Sequence, residues 1–233
     1  MGDSAALSDK QNNHLKVVKS FDDLMGGNTF AMLGEQTILF KNEKGEHVLF
    51  KIDPKVKYTA NDFLKLPEGA PFELLNGKLI NMPSPFDQHQ SIAANIHLIL
   101  GHYIKKNKLG TLRFAPLDVH LDEDNIVQPD LLFIANDRKN IINKWVIGAP
   151  DVVIEIFSNS TKKKDKNAKF KLYQKHGVLE YWLVDPEIKS VEIYILKSKK
   201  FILKDKYSEG EKLKSDIIKG FEMVTNEIFE TEN

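Results

Sequence analysis

An acidic residue interrupts one of the most apolar stretches of this chain. Glu155 follows Val-Val-Ile and precedes Ile-Phe in residues 152–157, a β-branched run typical of a buried strand. Burying a lone carboxylate costs several kcal/mol, so such a residue is normally paired with a cation or bound to a metal ion. The segment therefore predicts a sheet that holds a charged site in its interior.

A second acid stands at a comparable point of another strand. Asp130 immediately precedes the apolar run Leu131 to Ile134. If the two strands are neighbours, both carboxylates meet at one point of the sheet, where their repulsion favours a hard divalent cation such as Mg²⁺ or Mn²⁺. The alternative is that each acid caps backbone amides or pairs with a lysine. Spacing alone does not decide between them, although the mid-strand position of Glu155 weakens the alternative.

The remaining patterns predict an α/β fold with a central mixed sheet flanked by helices. Apolar residues at helical spacing predict an amphipathic helix over 87–106, and a basic segment predicts a second helix over 161–177. Residues 37–52 indicate a hairpin around Lys44-Gly45, and Asn76-Gly77 indicates a type I′ turn at the centre of 72–82. The other predicted strands cover 111–121, 127–134, 151–157, 179–185, 190–196 and 200–204.

Composition excludes several classes of function. Among the 233 residues there is no cysteine, which excludes disulfides, thiolate metal sites and a cysteine nucleophile. The 33 basic and 33 acidic residues balance, which excludes a wholly basic nucleic-acid coat but not local patches. No Walker A, G-x-G-x-x-G, G-x-S-x-G or H-E-x-x-H motif occurs. With no apolar run of about 18 residues and no signal-like start, we expect a cytoplasmic protein without a membrane anchor, and a frayed polar tail up to about residue 20.

Three further residues are candidates for chemistry. Lys169 falls on the helix after the Glu155 strand, one turn before Tyr173, but residues 162–175 contain seven lysines and spacing alone does not select this one. Glu73 lies on the 72–82 hairpin. His89 begins the long helix, where it would contact phosphate or position a water; the alternative is an ordinary surface histidine in a first helical turn.

Ordered motifs in the chain resemble a known family. They are Phe-Glu-Leu-Leu-Asn-Gly-Lys-Leu (72–79), Met-Pro-Ser-Pro (82–85), His89, Gln-Pro-Asp (128–130), Gly-Ala-Pro-Asp-Val-Val-Ile-Glu-Ile-Phe-Ser (148–158), Asp165, Lys169, Tyr173 and Glu-Tyr-Trp-Leu-Val-Asp-Pro (180–186). From about Tyr58 to Leu196 the chain is similar to the Uma-two type of restriction endonuclease, within the PD-(D/E)XK nuclease superfamily.

The resemblance implies a restriction-endonuclease-like core and a set of roles. Asp130 would be the acid of the Pro-Asp element and Glu155 the acid of the second element, and both would bind Mg²⁺ or Mn²⁺ together with the backbone carbonyl of Ile156. The usual lysine two residues after the second acid is absent, because position 157 is Phe, and its role falls to Lys169. Glu73 and His89 match the family's N-terminal acidic and histidine positions.

The sequence thus predicts a metal-dependent endonuclease that hydrolyses phosphodiester bonds of DNA, with lysines of 162–175 and 197–206 attracting the DNA backbone. The alternative is a catalytically inactive nuclease-fold module that binds nucleic acid or a protein partner. We expect an N-terminal extension with a β-hairpin and a helix, bounded as residues 1–57, a nuclease domain at 58–210 and a C-terminal segment at 211–233. A homodimer would suit cleavage of both DNA strands.

Overall fold

A computed structural model describes residues 15–17, 30–34, 36–42, 44–158 and 162–230. The chain divides into two compact units, which are described separately. The first unit takes in Met1–Pro83 and Glu123–Asn125, and the second takes in Ser84–Asp122 and Ile126–Asn233. The boundaries expected at 57/58 and 210/211 stay predictions.

The first unit contains a four-stranded antiparallel sheet in the order β1-β4-β3-β2. Its strands are β1 (Leu15–Val17), β2 (Phe30–Met32), β3 (Thr37–Lys41) and β4 (His47–Lys51). β3 and β4 confirm the predicted 37–52 hairpin. The prediction of a frayed tail is wrong at residues 15–17, which pair with β4; the rest of that tail lies outside the described residues.

A short helix and a second hairpin complete the first unit. Helix α1 (Ala60–Phe63) begins with a capping box, in which the side chain of Thr59 accepts from the Asp62 amide and the Asp62 carboxylate accepts from the Thr59 amide. Strands β5 (Phe72–Leu75) and β6 (Lys78–Asn81) pair through an Asn76-Gly77 turn with φ of 53° and 74°. Both central residues have positive φ, as the predicted type I′ turn requires.

The second unit is built on a mixed six-stranded sheet in the order β15-β14-β13-β12-β10-β7, in which β12 and β13 are parallel and the other neighbours antiparallel. In chain order its elements are α2 (Asp87–Lys106), β7 (Gly110–Phe114), β8 (Val119–Asp122), β9 (Asn125–Val127, shared with the first unit at Asn125), β10 (Leu131–Ala135), a 3₁₀ helix (Asn136–Ile141), β11 (Val146–Ile147), β12 (Val152–Ile156), helix α3 (162–176), β13 (Glu180–Asp185), β14 (Ser190–Lys197), β15 (Lys200–Tyr207), β16 (Lys212–Lys214), β17 (Glu222–Val224) and α4 (Asn226–Phe229). The predicted mixed sheet with flanking helices is confirmed.

Two predicted strands are interrupted. The strand predicted over 127–134 is divided between β9, which ends at Val127, and β10, which begins at Leu131. Residues 111–121 were expected to form one run, but β7 ends at Phe114 and β8 begins at Val119. The break contains Pro116, which has no amide hydrogen to donate to a strand ladder. β8 pairs instead with β11, in parallel.

The two faces of the six-stranded sheet differ in chemistry. Helix α2 buries an apolar stripe that lies in one core with alternate residues of β10 and β12; its members include Ile92, Ile96, Leu100, Ile104, Leu131, Phe133, Val152, Ile154 and Ile156. Because side chains alternate along a strand, Val153 and Glu155 point to the other face. Glu155 bonds there to Lys169 and Tyr173, both of helix α3.

The C-terminal segment is fastened to the core by a buried acid. Glu180, which is fully buried, accepts hydrogen bonds from Trp182 Nε1 (2.6 Å), Ser215 Oγ (2.7 Å) and the Asp216 amide (2.9 Å). Beyond this contact the segment contributes Ile218, Phe221, Met223, Ile228 and Phe229 to the core. The carboxylate therefore links the start of β13 to the C-terminal residues.

We predict that Glu180→Ala lowers the free energy of unfolding by about 3 kcal/mol, because it leaves the buried donors of Trp182 and Ser215 without this acceptor. Urea denaturation followed by circular dichroism measures the loss. Glu187→Ala, whose side chain is 63% exposed, is the matched control and should change stability by less than about 0.5 kcal/mol. Equal losses for the two variants would contradict the proposed link.

Candidate active site

The two strand acids face each other across neighbouring strands. β10 pairs with β12 so that Leu131 lies opposite Ile154, and continuing this register by one residue sets Asp130 opposite Glu155. Residues directly opposite in an antiparallel pair share a face and lie close together. The Ile156 amide donates to Oδ2 of Asp130 at 2.7 Å, which fixes Asp130 at the end of β12.

Glu155 is held by two groups of helix α3. The Nζ of Lys169 and the hydroxyl of Tyr173 both donate to its Oε1, at 2.9 and 2.7 Å. The Lys169 side chain is only 2% exposed, and its Nζ also lies 3.9 Å from Oδ1 of the buried Asp165. Two buried carboxyl groups therefore share one ammonium, an arrangement that favours a further cation nearby.

A π-helical turn brings Asp165 and Lys169 together. Helix α3 consists of Lys162–Lys164, a π-helix at Asp165–Lys169 and Phe170–His176. A regular helix was predicted over 161–177, and residue 161 lies outside the described residues. π-helical turns are rare in proteins, and those that occur often lie at functional sites. Here both ends of the π-helix are buried, at about 1% exposure, in an otherwise lysine-rich and solvated segment.

His89 reaches the same point from the other face of the sheet. His89 lies in the first turn of α2. The His89 Nε2 is 3.2 Å from Oδ2 of Asp130, and the His89 side chain is 13% exposed. Burial alone would lower the pKa of His89. The hydrogen bond and charge of Asp130, the Ile156 backbone and the charge of Asp165 outweigh burial and raise the pKa above its usual range. The imidazolium form is therefore favoured.

Phe157 lies two residues after Glu155, where the resemblance described above implies a lysine. Its ring is buried, and the ammonium groups of Lys162 and Lys166 lie 5.7 and 5.2 Å from the ring centroid. Lys162 is also paired with Asp185 at 2.9 Å. The cation that contacts Glu155 comes from Lys169 on the following helix, the lysine that the resemblance implies; its catalytic role stays a prediction.

The second unit brings together five of the six predicted site residues: His89, Asp130, Glu155, Ile156 and Lys169. Glu73 belongs to the first unit, where it lies fully buried on β5 opposite Ile80. Sequence reasoning did not assign Asp165 to the site. The signal was present, because Asp165 is the one acid among the seven lysines of 162–175.

The donor set decides which metal ion these residues can hold. Within the described part of the chain, no group of three or more His, Asp or Glu side chains is placed to hold a metal ion. The oxygen donors that the resemblance implies are the carboxylates of Asp130 and Glu155 and the carbonyl of Ile156. Both side-chain contacts of Asp130 given above use Oδ2. Mg²⁺ binds one or two carboxylates and keeps several waters, so this set fits Mg²⁺ better than a metal that needs three side-chain ligands.

The His89–Asp130 contact predicts a pH-dependent contribution to stability. A raised histidine pKa in the folded state contributes stability below the unfolded pKa, and this contribution is lost as pH rises through the folded pKa. The difference in unfolding free energy between wild type and His89→Gln should therefore be larger at about pH 5.5 than at about pH 9.

Urea denaturation at the two pH values, in EDTA, measures this difference. His102→Gln, exposed on the same helix, serves as the control for loss of a histidine. Equal differences for His89→Gln at both pH values would show that the pair does not stabilise the imidazolium.

Comparisons with known proteins bear on both the family and the fold. The sequence profile of the Uma2 family, described as "Putative restriction endonuclease", matches residues 60–226. The fold is similar to the crystal structure of a "putative nuclease belonging to DUF820" from Anabaena variabilis ATCC 29413, with a TM-score of 0.62 and 23% identity, covering 73% of this chain and 97% of that chain. At this identity the likeness shows the fold. No curated protein matches the chain.

A search for membrane-spanning helices had a negative result. Over the ranges that the structure describes, none of the helices has both the length and the apolar character needed to cross a bilayer.

Proposed function

The chain belongs to the Uma2 family, and on this basis we propose that it is a metal-dependent endonuclease that hydrolyses phosphodiester bonds of DNA. The observation that carries the proposal is the buried ion pair between Lys169 Nζ and Glu155 Oε1, 2.9 Å apart. Asp130 lies opposite Glu155 when the pairing of β10 and β12 is continued by one residue. Carboxylates that can bind a divalent ion, beside an ammonium group, can support hydrolysis of a phosphodiester by supplying an activated water and positive charge.

Each residue has a proposed role. Asp130 and Glu155, with the carbonyl of Ile156, would hold one Mg²⁺ or Mn²⁺ ion. Bound there, a divalent ion supplies a water of lowered pKa and positive charge for the phosphate. Lys169 positions the attacking water and stabilises its hydroxide form. The imidazolium of His89, which Asp130 favours, offers a positive charge and a donor to a phosphate oxygen.

The motif match also assigns a role to Glu73, as a further acid that contacts a second ion or an ordered water. Because this role rests on the family motif, Glu73→Gln belongs in the activity assay below. A cytoplasmic location and a homodimer stay predictions from the sequence.

A second candidate function is a catalytically inactive module that binds nucleic acid or a protein. Phe157 in place of the strand lysine favours it, since the superfamily's usual arrangement is missing. The two candidate functions differ in whether they require a divalent metal ion. The nuclease must bind Mg²⁺ or Mn²⁺ through its carboxylates, whereas an inactive module need not.

The decisive activity test is cleavage of supercoiled plasmid DNA with Mg²⁺ or Mn²⁺. We predict that Asp130→Asn, Glu155→Gln and Lys169→Met each reduce the cleavage rate by about a hundred-fold or more. The first two weaken binding of the divalent ion, and the third removes the positive charge that stabilises the hydroxide. Gel electrophoresis of the nicked and linear products measures the rate.

Matched exposed residues provide the controls: Asp205→Asn, Glu187→Gln and Lys189→Met should cleave at the wild-type rate. Cleavage that survives both Asp130→Asn and Glu155→Gln would mean that the site has been assigned wrongly. No cleavage by the wild type under any metal condition would favour the inactive module.

The shared contact at Glu155 gives a separate metal prediction. Without metal, Lys169→Met should lower the free energy of unfolding by about 3 kcal/mol, because it leaves the Glu155 carboxylate buried without its ammonium. Added Mg²⁺ should raise the melting temperature of this variant more than that of the wild type, since the ion then replaces the missing charge.

Differential scanning calorimetry with and without Mg²⁺ measures this effect. The double variant Glu155→Gln with Lys169→Met is the control and should lose the extra Mg²⁺ response. An equal Mg²⁺ response in both the single and the double variant would place the ion away from Glu155.

A further inference from the structure

The tip of the β14–β15 hairpin carries a cluster of exposed lysines. Lys197 pairs with Lys200 across a two-residue turn formed by Ser198 and Lys199, and all four residues are exposed. Three lysines thus lie within four consecutive residues at the end of a two-stranded ribbon.

The turn has a backbone that its residues do not favour. Ser198 and Lys199 have φ of 48° and 63°, positive values at both central positions, as in a type I′ turn, which favours Asn-Gly. The β5–β6 hairpin of this chain uses Asn76-Gly77 for a turn with the same signs of φ. A lysine in the left-handed region costs conformational energy. Lys108 and Lys189 also have positive φ, of 53° and 45°, so the backbone conformation does not by itself distinguish the tip; its charge does.

The lysines of the tip also differ from three nearby lysines in whether they form ion pairs with acidic side chains. Lys189, Lys206 and Lys212 form ion pairs with Glu209, Glu192 and Glu222 respectively. Within the described residues, no ion pair involves Lys197, Lys199 or Lys200. The tip therefore presents three uncompensated positive charges to solvent.

The tip lies at the end of the sheet opposite the candidate active site. β12 and β13 are parallel and end near the site, whereas β14 runs back from Ser190, opposite Asp185, to Lys197. β14 has 8 residues, so the tip is about 24 Å from the catalytic end at about 3.4 Å per residue.

Helix α3 spans the same interval. Near the catalytic end, Lys162 pairs with Asp185 at 2.9 Å. Near the tip, the Phe201 amide donates to Oε1 of Gln174 at 2.8 Å. The exposed lysines of α3, among them Lys163 and Lys171, lie between the two ends. A polyanion that enters the site thus meets further positive charge on its way to the tip.

We propose that the hairpin tip, residues 197–200, is a second contact surface for duplex DNA, binding backbone phosphates about 7 base pairs from the phosphate that is cut. The spacing follows from a rise of about 3.4 Å per base pair, and a two-stranded ribbon is narrow enough to lie in a DNA groove. This inference rests on the proposed nuclease function. The tip increases affinity for long duplexes and does not contact the reacting phosphate.

The test compares two triple variants that remove equal charge. The tip variant is Lys197→Ala with Lys199→Ala and Lys200→Ala, and the control is Lys189→Ala with Lys206→Ala and Lys212→Ala. Binding of a 30-base-pair duplex in EDTA is measured by fluorescence anisotropy over a range of salt concentrations. The tip variant should flatten the slope of log K against log salt by about 2 to 3 relative to wild type, because three phosphate contacts are lost. The control should keep the wild-type slope.

Cleavage of substrates of different length locates the contact. On the 30-base-pair duplex, the tip variant should raise KM about ten-fold or more and leave kcat unchanged. On a DNA hairpin with a 6-base-pair stem, about 20 Å long, wild type and tip variant should have equal kcat/KM, because this stem cannot reach from the site to the tip.

A third variant separates binding from folding. Ser198→Asn with Lys199→Gly supplies the residues that a type I′ turn favours, so its melting temperature should rise by about 1–3 °C. Its affinity for the 30-base-pair duplex should nevertheless fall, because one tip charge is gone. A lysine with a purely structural role would not give these opposite changes.

The outcomes distinguish the two proposals. If the wild type cuts DNA but the tip and control variants have equal salt slopes and equal KM, the hairpin is not a DNA contact and the inference is wrong while the nuclease proposal stands. If the tip variant loses equal affinity for the short and long substrates, its effect is one of general charge, which also overturns the inference. If the wild type neither binds nor cuts DNA, the proposed function fails first.

Discussion

The buried carboxylate of Glu155 is the constraint on which the arrangement of the second unit depends. An acid in the middle of a fully buried strand cannot stay unpaired without a large cost in free energy. Lys169 and Tyr173 meet this requirement from the helix that follows the strand. Lys169 is buried against the sheet although most of its helix is solvated. It lies at the end of the π-helical turn Asp165–Lys169, so this turn accompanies the pairing of Lys169 with Glu155.

The end of the sheet allows one site to draw on both faces. Along β12 the faces are separate, with apolar residues toward α2 and Glu155 toward α3. At the strand end this separation no longer holds, so His89 from the α2 side contacts Asp130, which the register sets opposite Glu155. The charge of Asp165, which lies on the α3 side, also acts on His89. A site at this point has an apolar support beneath it and access to solvent through Asp130, 18% exposed, as a substrate would need.

The sequence predicts those parts of the structure that depend on local pattern. Helix 87–106 follows from its apolar spacing, the β5–β6 turn from Asn76-Gly77, and the charged strand from Glu155 itself. Lys169 is different, because seven lysines share its segment and only the family resemblance singles it out. Lys169 is buried by its contact with Glu155 on β12. A contact between residues of different elements leaves no periodic pattern in the sequence. Two other features do have a local signal: Asp165 is the one acid among the lysines of 162–175, and Pro116 cannot donate to a strand ladder.

Ion pairing explains how a chain with zero net charge can still present a basic surface. Surface charges act mainly within a Debye length, about 8–10 Å at physiological salt, so a phosphate responds to the nearest groups and not to the total. Lys189, Lys206 and Lys212 are neutralised by acids beside them and offer little to a polyanion. Within the described residues, Lys197, Lys199 and Lys200 have no such ion pair, so the hairpin tip keeps its positive charge. A chain with balanced charges can therefore still have a locally basic surface, because some of its lysines are paired with acids and others are not.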